Sequence, residues 1–343
     1  MRRIIQLSLA IALIWSSIAT VSQVKAASQT ASFEQLSGTV ELKRIGQDFF
    51  KQALTGQHVK AGDILRTGIN GKAMLRLMDG STFSFAEETE FMFGSEIDCS
   101  PKGLIGTLFR GVGRAILQKR EQSYISTPAG TIGIRGTDIT FTHSGKTGFY
   151  FLNEGGIDVR NNGGRIILEA GSMTASYRGR KPLPPSSFAK SPGLAKARTA
   201  LSALTTVKIP SSLKEHALLN EILARWVINY ANYLAETGRH ADAETALLIA
   251  EDLTERYAVE GEILLHIGGL YFYRLNDAQN ALRAYERIIN NYSGTPHLES
   301  ALFGAIRSAD LLKQQDKVLK YIKQYRIKFP NGKHLQELET MLW

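Results

Sequence analysis

The second half of the chain repeats itself, and that repeat restricts the architecture more than any other feature. Ala243, Ala246, Leu247, Leu253 and Tyr257 recur 35 residues later as Ala278, Ala281, Leu282, Ile288 and Tyr292. A further 37 residues on, Val318, Leu319, Ile322, Tyr325 and Phe329 match Ala281, Leu282, Tyr285, Ile288 and Tyr292. Pro330 then stops the helix, because proline has no N–H to donate and its ring clashes with the preceding turn. Small residues where helices approach, bulky ones between them, and a period near ~34 residues predict helix-turn-helix units. One such unit cannot bury its apolar face alone, so the units must stack.

The first half follows a different period. Residues 33–180 are rich in Gly, Thr, Val and Ile with frequent turn signals. In ILRTGINGKAMLRLMDGSTFSF (64–85), Asn70-Gly71 and Asp79-Gly80 read as hairpin turns. Ala73, Leu75 and Leu77 alternate with Lys72, Met74 and Arg76. A two-residue turn would put Leu77 and Phe83 on opposite faces. An odd loop centred on Gly80 lets Leu75, Leu77, Phe83 and Phe85 share one core, and the expected pairs are Leu77 with Phe83 and Leu75 with Phe85. Short strands at this spacing predict two packed sheets or a β-roll.

The stretch STPAGTIGIRGTDITF (126–141) shifts phase in the middle. Its apolar positions are even-numbered up to Ile134 and odd-numbered from Ile139 to Phe141. Side chains in a strand alternate faces, so the shift requires an inserted residue. Gly136 is the natural place, since a bulge there can use positive φ, and Arg135, Gly136, Thr137 and Asp138 read as a β-bulge that bends the strand. Arg135 and Asp138 would flank it, paired with each other or with nearby carbonyls. Arg135 is also a candidate ligand contact, since an exposed guanidinium suits carboxylate or phosphate.

These same residues carry a resemblance. Together with VKAGDILRTGINGKAMLRLMDGSTFSFAEETEF (59–91), the stretch closely resembles the FecR domain. Gly62, Asp63, Asp79, Gly80, Ser81, Thr127, Pro128, Arg135, Gly136 and Thr137 fall on its motif positions, with Ile134 where valine is usual. The resemblance covers roughly residues 35–175 and implies an extracytoplasmic, non-enzymatic β-domain. Regulators of that family place a cytoplasmic segment and a membrane span before this domain, so their anti-sigma role is not expected here. The helical half resembles the tetratricopeptide repeat family. Gly268, Tyr271, Ala281 and Tyr285 match its small-large-small-aromatic pattern, Tyr292 and Pro330 close successive units, and the consensus tryptophan is absent.

Motifs for covalent chemistry do not assemble. SGKT (144–147) ends like a phosphate loop, but Thr140 stands where that loop needs glycine, and a hairpin turn is expected. None of the seven histidines pair at i,i+4, and His297 and His334 occupy equivalent repeat positions that fit helix starts. Glu87, Glu88 and Glu90 lie too close in sequence to flank a sugar from both sides, and read as a solvated acidic loop. No cofactor and no metal is expected. Cys99, the single cysteine, excludes an intrachain disulfide.

Arg2 and Arg3 precede an apolar run from Ile4 to Val21, and Val24-Lys25-Ala26 offers a cleavage site. Residues 1–26 therefore read as a signal peptide, with membrane anchoring only if it stays uncleaved. The formal net charge is +9, three of whose positive charges (Arg2, Arg3 and Lys25) lie in that leader. The remainder favours an anionic envelope component, such as a wall polymer, and export argues against nucleic acid. The expected fold is α+β in separate domains: an all-β sandwich or roll at 33–177, a Pro-rich basic linker at 178–211, and a solenoid of helical repeats like the tetratricopeptide type at 212–343. The expected role is an exported envelope scaffold or adaptor. Its β-domain would bind an envelope component, and its repeats, whose tyrosines mostly fill the core, would hold a protein partner in their groove. Two rivals are a periplasmic signalling module coupled to a membrane partner and, more remotely, an enzyme acting on wall glycan.

Overall fold

The computed structural model describes residues 31–94, 103–118, 123–207, 213–254 and 260–341. The leader and Cys99 lie outside them. A strand-rich region from 31 to 177 precedes a region of eight helices, the α+β arrangement expected from the change of period.

Numbered along the chain, the strands form two sheets that share one member. The first sheet runs β4 (His58–Val59), β1 (Ala31–Ser37), β6 (Lys72–Leu77), β7 (Thr82–Phe85), β9 (Leu104–Ile116), β12 (Asp138–Ser144), β13 (Thr147–Glu154), β16 (Ser172–Tyr177), β17 (Ser186–Ser187). The second runs β3 (Lys51–Gln52), β2 (Val40–Lys43), β5 (Ile64–Thr67), β8 (Glu90–Phe93), β9, β10 (Ser123–Thr127), β11 (Gly130–Ile134), β14 (Gly156–Asn161), β15 (Gly164–Glu169). The N-terminal half of β9 pairs with β8 and β10, and its C-terminal half pairs with β7 and β12. The handover falls at Gly111, whose φ of +100° suits glycine, and a Cβ there would lie 2.4 Å from Thr89 Oγ1.

Between the sheets, alternate residues of both make one core. Phe83, Phe85, Phe91 and Phe93 form an aromatic cluster with ring centroids 4.7 to 6.4 Å apart. Each fully buried ring of this kind contributes about 1.5–3 kcal/mol. The β6–β7 loop is odd, as expected, and Leu75, Leu77, Phe83 and Phe85 are all buried. The register differs from the expected one by two residues: Leu75 faces Phe83 and Ala73 faces Phe85. The Asp79 carboxylate accepts from the Ser81 N–H at 2.9 Å, which tightens the loop to three residues and pulls Ser81 opposite Leu77.

Two other expectations need correction. Asn70-Gly71 does not close a hairpin, because β5 belongs to the second sheet and β6 to the first. The turn is a corner, and a Cβ at Gly71 would come 2.0 Å from the Thr39 carbonyl oxygen. The 135–138 segment is likewise not a bulge within one strand. It is the corner where the chain leaves β11 in the second sheet and enters β12 in the first. Gly136 has the anticipated positive φ, +65°. The phase shift is therefore a change of sheet, with a register irregularity at Asp138/Ile139 against β13.

Beyond β16 the chain was expected to be a linker. Instead Ser186–Ser187 adds β17, and helix α1 (Pro192–Leu204) follows. Ser191 caps it, accepting from the Leu194 N–H, and Pro192 sits in the first turn, where its missing donor costs nothing. Leu194, Ala197, Leu201 and Leu204 form one buried stripe on α1. That stripe belongs to a continuous core joining Val112, Phe149, Phe151, Met173 and Ala175 of the first sheet to the helices. The buried Lys72 ammonium reaches the carbonyls of Ala203 and Thr206 at the C-terminal end of α1, at 3.4 and 3.3 Å. Cations are favoured there because the last carbonyls of a helix lack internal partners.

The remaining helices are α2 (Leu213–Glu236), α3 (His240–Thr254), α4 (Glu260–Tyr273), α5 (Ala278–Asn291), α6 (Leu298–Leu311), α7 (Gln315–Lys328) and α8 (Leu335–Thr340). They pair as α2/α3, α4/α5 and α6/α7. His297 and His334 precede α6 and α8 as their N-terminal boundary residues. Tyr285 of α5 explains the small residues at the crossings. Cβ atoms at Gly268 of α4 and Gly304 of α6 would each stand 2.5 Å from its ring.

Gly136→Val should lower stability by about 1–3 kcal/mol, because a β-branched residue resists positive φ. An unchanged midpoint in chemical denaturation would show that the corner does not require glycine. Gly304→Ala should cost about 1–3 kcal/mol through overpacking, and adding Tyr285→Leu should recover part of that loss in a double-mutant cycle.

Candidate functional site

The motif residues of the β-domain fall in three places, one of them the β10–β11 turn, where the buried Thr127 Oγ1 accepts from the Gly130 N–H at 3.1 Å. The Gly62-Asp63 pair is a structural staple. The Asp63 carboxylate is buried, accepting from Arg44 at 2.6 Å, from the Lys60 N–H at 2.9 Å and from the Ile45 N–H at 3.1 Å. The third place is one end of the first sheet, where the Asp79-Gly80-Ser81 turn and the 135–138 corner meet. Residues 117–118 bridge them: the Leu117 N–H donates to the Thr137 carbonyl at 2.8 Å, and the Gln118 N–H donates to Ser81 Oγ at 3.1 Å. Asp138 does not pair with Arg135. It takes both arms of the Arg114 guanidinium, at 2.9 and 2.8 Å, and holds the Arg114 pKa above its usual value.

Arg135 is exposed and lies at the rim of a groove on the outer face of the second sheet. The groove, about 530 Å³, is floored by Gly133 and Asp158 and bordered by Arg165 and Ile167. Asp158 is almost fully buried; its Oδ2 accepts from Arg165 at 2.6 Å, and its Oδ1 has no hydrogen-bond partner. The groove thus offers an acceptor at its base, and at its rim the guanidinium groups of Arg135 and Arg165 together with the Glu169 carboxylate. Sequence reading singled out Arg135 and missed Asp158, whose register opposite Gly133 becomes visible only once β11 and β14 are paired.

A second cavity, about 420 Å³, lies between the β-domain and the helices. Glu87, Arg110, His143 and Thr147 line one wall, and Leu219, Asn220, Leu223 and Leu253 line the other. The acidic stretch was expected to be solvated. Instead Glu87 is buried, Glu88 is exposed at φ +50°, and Glu90 lies 3.7 Å from Arg110, so the three carboxylates meet different surroundings. SGKT forms the β12–β13 hairpin turn, with Ser144 opposite Thr147 and Gly145 at φ +60°. The Lys146 N–H donates to Asp252 of α3, another tie across the junction.

The third surface is helical. The first helices of successive pairs, α2, α4 and α6, touch one another. Between α2 and α4 lies a groove lined by Asn229, Asn232, His266, Tyr273 and Arg274, and its neighbour toward α6 is lined by Phe272, Tyr273, Asn276, Arg307 and Asp310. The tyrosines can now be sorted. Tyr271, Tyr285, Tyr321 and Tyr325 are buried, Tyr230 and Tyr292 are half-buried, and Tyr233 and Tyr273 are exposed. Of the repeat positions expected from sequence, Gly268, Tyr271, Ala281 and Tyr285 are all core. Burial pushes the hydroxyls of Tyr271 and Tyr285 above the usual tyrosine pKa. Pro330 follows the end of α7. Among the described residues no His/Cys/Asp/Glu cluster suits a metal ion, and no helix is long and apolar enough to cross a membrane.

No protein-family model matches the chain, and no curated protein matches it. Among solved structures it is similar to two crystal structures of a "putative anti-sigma factor" from Parabacteroides distasonis ATCC 8503, at 1.65 and 2.50 Å resolution. Each comparison gives 11% identity and a TM-score of 0.34 over 41% of this chain and 64% of that one. The chain therefore spans less than two thirds of the proteins it matches.

Asp63→Ala should cost about 2–4 kcal/mol, because it removes three bonds to a buried carboxylate and strands two backbone donors. Equilibrium unfolding measures this directly. A loss no larger than a surface substitution would reassign the Gly-Asp motif from structure to recognition.

Proposed function

We propose that this protein is a non-enzymatic adaptor of the cell envelope, exported by its N-terminal leader, in which the β-domain and the helical repeats present two recognition surfaces. The observation that carries the reading is the shared core: α1, the first sheet and the helix pairs are packed as one body. A scaffold needs that rigidity, since binding costs less when surfaces are already in place. On the helical side the occupant is an extended protein segment. Asn229 can pair with a backbone amide on both donor and acceptor sides, Asn232 donates to Glu236 at 3.2 Å and keeps its carbonyl oxygen as an acceptor, Tyr273 supplies stacking area, and Arg274 is ion-paired with Glu236 at 2.9 Å. On the β side, Arg135 and Arg165 flank the Asp158 groove, a combination suited to an anionic ligand that also carries an N–H or O–H donor, as wall polymers do. The resemblance of 59–91 and 126–141 to the FecR domain, and of the helix pairs to tetratricopeptide repeats, supports the same assignment.

A photo-crosslinker placed at Tyr273 in intact cells should capture a defined protein partner, identified by mass spectrometry. The same probe at Leu319, exposed on α7, should not capture it. Asn232→Ala should weaken the captured complex about three- to tenfold, the worth of a single hydrogen bond. Identical captures from both positions, or none from Tyr273, would remove the groove from the account.

A further inference from the structure

The two sheets end among the described residues in four edge strands, of which β15 is the longest. β3, β4 and β17 contain two residues each. The fourth edge, β15, has six residues, Gly-Arg-Ile-Ile-Leu-Glu, and its ladder partner is β14, in unbroken register. Soluble proteins usually blunt a long edge with charged side chains, proline, a bulge or a cover. β15 has no proline or bulge, and its two charges, Arg165 and Glu169, are of opposite sign. The Arg165 side chain is 61% exposed and Ile167 is 65% exposed, and Glu169 is exposed too.

Ladder parity identifies which groups are free. A two-residue turn joins β14 to β15, so its flanking residues, Asn161 and Gly164, form the closing hydrogen-bonded pair. Bonded and non-bonded pairs alternate along an antiparallel ladder. Gly164, Ile166 and Leu168 therefore direct their backbone groups to β14, and Arg165, Ile167 and Glu169 direct theirs outward. The Glu169 carbonyl also accepts from Ser172 Oγ and keeps its second lone pair.

We propose that β15 pairs antiparallel with β15 of a second copy of this chain, about a two-fold axis at Ile167. Only that register pairs opposite charges. Arg165 and Glu169 each lie two residues from Ile167, so Arg165 of one copy faces Glu169 of the other on the same side of the joined sheet. Ile166 faces Leu168 on the opposite side. Centring the axis on Arg165 or on Glu169 would oppose like charges, and centring it on Ile166 or Leu168 would set Arg165 or Glu169 opposite Ile167, without a charge pair. Arg165 also holds Asp158, so charge alternates across the junction from Asp158 to Arg165 to Glu169 of the second copy. Such an isologous contact closes on itself and does not propagate into fibres. Five paired residues span about 17 Å and bury less than about 1,200 Å², which sets a weak, concentration-dependent dimer.

Sedimentation velocity of the purified protein across about 10 μM to 1 mM, the range a weak interface demands, should show conversion from monomer to dimer. Glu169→Arg should be monomeric, as should Arg165→Glu, and an equimolar mixture should dimerise at least about tenfold more tightly than either alone. Ile167→Pro provides a test that leaves the Asp158–Arg165 ion pair in place. It deletes an outward N–H while sparing the bonds to β14, and should be monomeric with its circular dichroism unchanged. A wild-type protein that stays monomeric throughout would overturn the proposal. So would Glu169→Arg and Ile167→Pro proteins that dimerise like the wild type.

Discussion

The joint between the two halves is built around helix α1, seated against the first sheet, with α3 packing beside it on β13 and β16. Four side chains spaced three and four residues apart, Leu194, Ala197, Leu201 and Leu204, bury one face of the helix. Lys72, reaching from β6, satisfies carbonyls at its C-terminal end. Arg114 adds a contact to Ser202 while holding Asp138, so the end of the sheet that carries the 135–138 corner also touches the helix that begins the other half. Phe188 stacks on Phe151 just before α1 begins, and Arg198 lies over the Phe188 ring.

This seating turns two regions with different periodicities into one object with several fixed surfaces. The outer face of the second sheet carries the Arg135–Asp158–Arg165 groove, and the free edge β15 borders it. The first helices of the repeats carry the amide- and tyrosine-lined groove. A protein that works by holding partners gains from such fixity, because ordering costs are met on folding and not on each encounter.

Much of this is legible in the sequence, and the exceptions share a cause. The helix pairs are legible because their repeat is a local spacing, and Gly268 and Tyr285 identify themselves by size. The positive φ at Gly136 follows from parity alone. Parity cannot distinguish a bulge from a change of sheet, however, since both shift the phase by one residue. The same ambiguity made Asn70-Gly71 resemble a hairpin when it is a corner pressed against Thr39. Residues 192–204 were hidden for another reason. The prolines ahead of them suggested a linker, yet Ser191-Pro192 is a helix start followed by a regular apolar stripe. Asp63 was visible as a motif, but its three donors come from residues up to 19 positions away. The Asp158 groove was not visible at all, because it arises from cross-strand neighbours.

Because their core is continuous, the β-domain and the helices should open as one cooperative unit. Trp226 lies in α2 and reports on the helical half through its fluorescence, while hydrogen exchange of the β13 amides, residues 147–154, reports on the first sheet. Denaturant titrations followed by both probes should give coincident midpoints, and Leu201→Ala should shift the two by the same amount. Separate midpoints, or a shift confined to the Trp226 signal, would contradict a single shared core.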